Sequence, residues 1–206
     1  MKITDVRICN VPGPLGYAME SPVFSWNVSE ADGEYRGAAV SIYKEGTAVW
    51  EDGSEDASAC LGMKTDPVLK PRTLYDYRLT VCSDKEEAAA GGCFETGKMD
   101  EEWTAKWISP ENRKNAILRG TFEASPEQAA SASRLYICGL GVYEVYINGT
   151  KAGDEYLAPG YHSYDFHLAA QTYDVSGMLR EGENEIEIWL GEGWVKGRLG
   201  VEGGVT

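Results

Sequence analysis

The chain has 206 residues, 43% hydrophobic and 25% charged, the composition of a folded protein with one or two real cores. A net charge of −14 argues against nucleic acid and anionic membrane as partners, since both require clustered Lys and Arg, but leaves an uncharged ligand such as a sugar unopposed. No apolar run is long enough to span a bilayer, and Met1-Lys2-Ile3-Thr4-Asp5 lacks the charged-then-apolar pattern of a secretion signal, so a cytoplasmic location is expected.

From Lys2 to about Gly97 short apolar runs recur with turn residues between them, the rhythm of a small β-sandwich. Phe24-Ser25-Trp26-Asn27-Val28 alternates, which places Phe24, Trp26 and Val28 inward. Residues 38–43 form a strand, turned by Lys44-Glu45-Gly46-Thr47. Ala48-Val49-Trp50 is the next, stopped by Glu51-Asp52-Gly53. Further on, Tyr75, Tyr77, Leu79 and Val81 share one face. The spacing Leu69-x-Pro71-x-Thr73-x-Tyr75 is similar to a strand entry of fibronectin type III domains, which implies that the Tyr75 hydroxyl bonds back to the backbone at a corner between strands. Cys93-Phe94-Glu95-Thr96 is the last strand of this half, and residues 99–102 are a short charged linker.

Trp103-Thr104-Ala105-Lys106-Trp107-Ile108 opens the second half, with Trp103 and Trp107 expected to plug the junction. Residues 117–122 are a strand, and Ser125-Pro126-Glu127-Gln128 reads as a helix start or a loop. From Tyr143 the residues alternate again: Tyr143, Val145 and Ile147 on one face, Glu144, Tyr146 and Asn148 on the other. Asn148-Gly149 is a strong hairpin signal, because a type I′ turn needs positive φ at both central residues. A loop-rich aromatic stretch follows over residues 156–167. Ser176 is read as capping one helical turn over 177–180, and residues 181–184 as a turn. In residues 185–190, Ile186, Ile188 and Leu190 face inward. Gly203-Gly204-Val205-Thr206 follows without a closing strand, which reads as a truncated sandwich.

One ordered pattern stands out in this half. It runs through Cys138-Gly139-Leu140-Gly141, Tyr146-Ile147-Asn148-Gly149, Gly153-Asp154, Leu157-Ala158-Pro159-Gly160, Thr172-Tyr173-Asp174-Val175, Gly182-Glu183-Asn184, Leu190-Gly191-Glu192-Gly193-Trp194 and Gly197-Arg198-Leu199-Gly200. This pattern resembles the N-terminal β-sandwich of bacterial α-L-rhamnosidases; where that family usually has an aromatic after Gly-Trp, this chain has Val195. The resemblance implies an all-β chain of two tandem β-sandwiches: a fibronectin type III-like one over 1–98, then a jelly-roll, carbohydrate-binding-module-like one over 103–206, incomplete at its C-terminus. It implies an N-terminal accessory fragment of a glycoside hydrolase that releases terminal α-L-rhamnose. In that family the paired acids of the inverting reaction belong to a helical barrel outside these residues, so no catalytic residue is carried over and the fragment alone is expected to be inactive. Its expected partners are the rest of its own full-length chain and a rhamnose-containing glycoside.

Other chemistry finds little footing. The two histidines, His162 and His167, have no zinc-site spacing, and neither a GxSxG elbow nor a P-loop appears. Gly191-Glu192-Gly193 fails as a dinucleotide motif, because Lys196 stands where its third glycine belongs. Five cysteines without a CxxC pair read as reduced, mostly buried thiols. Sugars are held by aromatic faces against C–H patches and by fixed polar groups against hydroxyls. Asp154 and Glu155 sit on a loop beside the aromatic stretch with Tyr161, and Trp194 and Arg198 sit on a second, glycine-rich loop. Some family sandwiches resemble a calcium-assisted rhamnose-binding module, which implies that Asp154 and Glu155 contact sugar or Ca²⁺. The competing reading is that Asp154 caps a turn, Trp194 is core and Arg198 pairs with an acid. A free-standing carbohydrate-binding or adhesion-like protein of two sandwiches is the alternative function.

Overall fold

The computed structural model describes residues 1–111 and 115–195. The chain divides into two compact units, Met1–Glu102 and Trp103–Thr206. The strands of the first are β1 (Lys2–Ile8), β2 (Leu15–Tyr17), β3 (Val23–Ser29), β4 (Tyr35–Lys44), β5 (Thr47–Ser54), β6 (Met63–Lys64), β7 (Leu74–Ser83) and β8 (Glu87–Thr96). They form one sheet in the order β1-β3-β6 and another in the order β2-β8-β7-β4-β5. Alternation supplies the core: Phe24 and Trp26 from the first sheet, Val40, Ile42, Tyr75, Leu79, Val81 and Phe94 from the second. Phe24 meets Tyr77 and Phe94 edge-on at 5.2 and 6.5 Å, and Tyr75 stacks on Phe94 at 5.4 Å.

The corner expected at Tyr75 is present. Its hydroxyl accepts the Lys70 N–H at 2.8 Å, and Thr96 Oγ1 closes the same corner by donating to the Lys70 carbonyl at 2.6 Å and accepting from the Thr73 N–H at 3.0 Å. Glu45 (φ 49°) and Gly46 (φ 77°) make the two-residue turn between β4 and β5.

Three expectations are corrected here. Val28 is 38% exposed, because the last residues of β3 carry no cover. Strand β5 continues through Glu51-Asp52-Gly53, whose backbones pair with Ser41, Val40 and Ala39. An edge strand tolerates charge on its ladder, and charge there discourages stray pairing. The five cysteines are free but none is buried: Cys9 and Cys93 are exposed and the other three half-buried. In the sheet Cys82 stands opposite Glu87 and Cys93 opposite Asp76, so those two thiols do not face each other.

The second unit contains β9 (Ala116–Ala124), helix α1 (Pro126–Ala130), β10 (Arg134–Cys138), β11 (Val142–Ile147), β12 (Thr150–Lys151), β13 (Ala170–Asp174) and β14 (Gly182–Gly191). Its sheets are β12-β11-β14-β9 and the pair β10-β13. Tyr143, Val145 and Ile147 are each under 5% exposed and pack with Leu135, Ile137 and Tyr173. Helix α1 begins with a capping box: Ser125 Oγ accepts the Gln128 N–H at 3.2 Å and Gln128 Oε1 accepts the Ser125 N–H at 2.8 Å.

The Asn148-Gly149 hairpin forms as expected, with φ of 50° and 79° and Ile147 opposite Thr150. Asn148 does more than turn the chain. Its Oδ1 accepts the Glu185 N–H at 3.0 Å, and its Nδ2 donates to the Met178 carbonyl at 2.9 Å and to Asn184 Oδ1 at 2.8 Å. Asn184, wholly buried, accepts from the Arg180 N–H at 2.9 Å and donates to the Arg180 and Gly182 carbonyls at 2.7 and 2.8 Å. The stretch read as a turn is therefore the start of β14, with a buried amide tying it down. Nor do residues 177–180 form a helical turn: the Met178 N–H bonds to the Val175 carbonyl at 3.1 Å across Gly177 (φ 75°), a β-turn. Ser176 Oγ instead accepts the Ser133 N–H at 3.1 Å.

Two stability outcomes are expected. Tyr75→Phe leaves the Lys70 N–H without its acceptor and costs about 1–2 kcal/mol, read as a lower urea midpoint at unchanged slope for the first unit's transition. Asn184→Ala strands several buried backbone groups and costs about 3 kcal/mol, with Asn148→Ala failing to add fully in the double variant because the two amides share a bond.

Candidate functional site

After the hairpin the chain returns alongside β11. The Ala152 N–H bonds to the Val145 carbonyl and the Tyr143 N–H to the Ala158 carbonyl, both at 2.8 Å, which carries Asp154 and Glu155 past the free edge of that strand. Gly153 makes the turn possible. Its φ is 75°, and a Cβ there would collide with the Tyr173 ring and the Glu155 carboxylate. The Glu155 carboxylate thus lies against Tyr173, while the Glu155 carbonyl accepts Lys151 Nζ at 2.9 Å. Asp154 is exposed. Deeper in, the Tyr143 hydroxyl donates to Gln171 Oε1 at 2.5 Å. Burial, and then the neighbouring Tyr173, pushes the Tyr143 phenol far above its ordinary range, so it serves as a fixed donor and not as a base.

The second loop leaves from the end of β14, where Gly191 pairs with Val142. Three glycines let backbones touch at this point: a Cβ on Gly141 (φ 111°) would collide with the Gly191 carbonyl, and one on Gly193 (φ 56°) would stand 2.8 Å from the Val142 nitrogen. The glycine-rich pattern is thereby explained by close backbone approach. The Glu192 N–H is held by Asn115 Oδ1 at 2.9 Å, and Trp194 is half-buried. Register places Ala158 beside Tyr143 and Gly191 beside Val142, so the loops bearing Tyr161 and Trp194 leave from the same end of β11. Tyr161 is 56% exposed and meets Tyr164 edge-on at 5.9 Å. Arg198 lies outside the described residues.

Asp154 and Glu155 offer two carboxylates. A Ca²⁺ site needs six to eight oxygens, and among the described residues no group of three or more His, Cys, Asp or Glu side chains is placed to hold a metal. His162 is buried, with no hydrogen-bond partner for Nδ1, and lies between the Tyr164 and His167 rings. Sequence reasoning did not single out Lys151 and Tyr156. Lys151 Nζ bonds to Glu144 Oε1 at 2.9 Å and lies 4.4 Å from the centre of the Tyr156 ring, which is 82% exposed. The two-residue hairpin was the available signal, since it fixes Lys151 opposite Tyr146.

An apolar cleft of about 860 Å³ lies between the inner faces of this unit's two sheets. Leu118, Ile186, Ile188 and Leu190 line one side, Leu135 and Ile137 the other, and Trp103 and Trp107 border it. The two tryptophans are 45% and 67% exposed. A sugar pocket needs convergent polar groups; this lining is that of a sandwich interior open to one side.

Comparison with known proteins bears on both units. Residues 3–100 match the family described as "Rha78A-like, N-terminal immunoglobulin domain", and residues 128–206 the "Alpha-L-rhamnosidase N-terminal domain". Two α-L-rhamnosidases of Formosa agariphila are 26% and 31% identical over 91% and 88% of this chain, and one of Streptomyces avermitilis is 38% identical over 38% of it. An α-L-rhamnosidase structure from Dictyoglumus thermophilum superposes with a TM-score of 0.82 over 95% of this chain at 27% identity, and one from Aspergillus terreus with 0.79 over 98% at 25%. The chain spans only 23% of each Formosa relative and about a quarter of each of those two structures. With both domain families matched in order along its length, the chain carries the N-terminal all-β region found in α-L-rhamnosidases.

Proposed function

We propose that this region is a non-catalytic accessory part of an α-L-rhamnosidase, bracing the portion of the enzyme that carries the chemistry. The observation that carries this reading is the open cleft of the second unit. A surface lined by Leu118, Leu135, Ile137, Ile186, Ile188 and Leu190 is costly to leave in water, at roughly 25 cal/mol per Å² of apolar area, and suits an apolar segment of a larger polypeptide as its cover. The partner is then the rest of the full-length chain. In assays of the 206-residue protein on an aryl α-L-rhamnoside, no turnover is expected; activity that survives repurification would overturn the accessory reading.

A second reading, direct binding of a rhamnose-containing glycoside, is favoured by the exposed Asp154, Tyr156 and Tyr161 beside the backbone-anchored Glu155. Asp154 and Glu155 would receive sugar hydroxyls, with Ca²⁺ as the cofactor if backbone carbonyls complete its shell. Calorimetry with L-rhamnose, with and without Ca²⁺, is expected to give heat that Asp154→Ala reduces at least tenfold in affinity. Heat unchanged by that substitution removes the loop from the site, and absence of heat in both conditions leaves bracing alone.

A further inference from the structure

The outward face of the four-stranded sheet carries a second aromatic surface, away from the cleft and distinct from the return loop. Register sets its rows. Ile117, Trp189 and Glu144 stand abreast across β9, β14 and β11, and Arg119, Glu187, Tyr146 and Lys151 form the next row. Trp189 lies diagonally against Tyr146, with ring centres 5.0 Å apart and planes tilted by 36°. Its indole N–H donates to Glu187 Oε2 at 3.2 Å, and Glu187 Oε1 is paired with Arg119 Nε at 2.5 Å. The Tyr146 hydroxyl donates to Glu144 Oε2 at 2.7 Å, and Lys151 holds the other oxygen of Glu144.

Each ring is therefore held at its polar end and against its neighbour. Even so, Trp189 remains 45% exposed and Ile117 48%. Two rigid rings fixed before a ligand arrives lose little rotamer freedom on binding. The charges flanking them are paired acid with base, so the surface offers no net attraction to a polyanion, and the protein's −14 opposes one. Flat aromatic faces rimmed by fixed donors and acceptors, with no net charge demanded of the ligand, match the C–H faces and hydroxyls of an uncharged glycan chain.

We propose that this face is a carbohydrate-binding platform for a neutral glycan, with Trp189 as its main stacking surface and Tyr146 as its support. The proposal rests on the glycan-directed reading of the region but not on the return loop.

Affinity electrophoresis of the 206-residue protein through gels cast with a neutral polymer of α-linked L-rhamnose tests it, with an anionic polygalacturonate gel as control. Retardation is expected in the neutral gel only. Trp189→Ala should weaken it at least tenfold, Trp189→Phe should restore most of it by keeping a ring, and Asp154→Ala should leave it unchanged. An unretarded wild type overturns the platform. So does retardation that Asp154→Ala abolishes and Trp189→Ala does not, which would leave the loop reading standing. Loss in both variants assigns one continuous site and also overturns a separate platform. The thermal midpoint of Trp189→Ala shows whether its loss reflects folding.

Discussion

The register between β11 and β14 is the constraint on which the second unit depends. Six consecutive pairs, from Val142↔Gly191 to Ile147↔Ile186, commit both strands on both faces at once. Inward, that register delivers Tyr143, Val145 and Ile147 to the core. Outward, it sets Glu144 abreast of Trp189 and Tyr146 diagonally against it. Shifting either strand by one residue would exchange the two sets, placing carboxylates in the interior. The hairpin at Asn148-Gly149 and the buried Asn184 amide prevent that slip from one end, and the glycine contacts around Gly141 and Gly193 fix the other.

The two units differ in how they satisfy their apolar faces. The first fills its interior from both sheets, with Phe94 in ring contact with both Phe24 and Tyr75. In the second, among the described residues, two strands face a four-stranded sheet, and Ile186, Ile188 and Leu190 remain half-exposed along a wide cleft. A surface of that kind points to packing, whereas the return loop and the outward aromatic face have the mixed polar and aromatic character that sugars require. The cleft and the two mixed surfaces thus draw on different residues of one small unit.

Much of this was legible from spacing alone. Strict alternation announced β11 and β14 and Asn-Gly the hairpin, while the Tyr75 corner followed from the resemblance to a fibronectin strand entry. What stayed hidden depended on partners distant in the chain. Asn184 looks like a turn residue until Asn148 arrives to bond with it from 36 positions away. Glu51-Asp52-Gly53 looks like a stop until β4 supplies a ladder. Ser176 looks like a cap until Ser133 uses its hydroxyl. In the site, the acidic loop drew notice because its residue types suggest chemistry, while Lys151 acquires meaning only once pairing brings it to Glu144, and Tyr156 once its ring lies under Lys151.

Every strand of the first sandwich lies between Lys2 and Thr96, and its long-range pairs, such as β1 with β3 and β7 with β8, all close within that span. Thr96 is synthesised before any residue of the second unit's sheets, so the layer pair has its whole sequence ahead of them. The self-covered module is thus made ahead of the half that carries the apolar cleft.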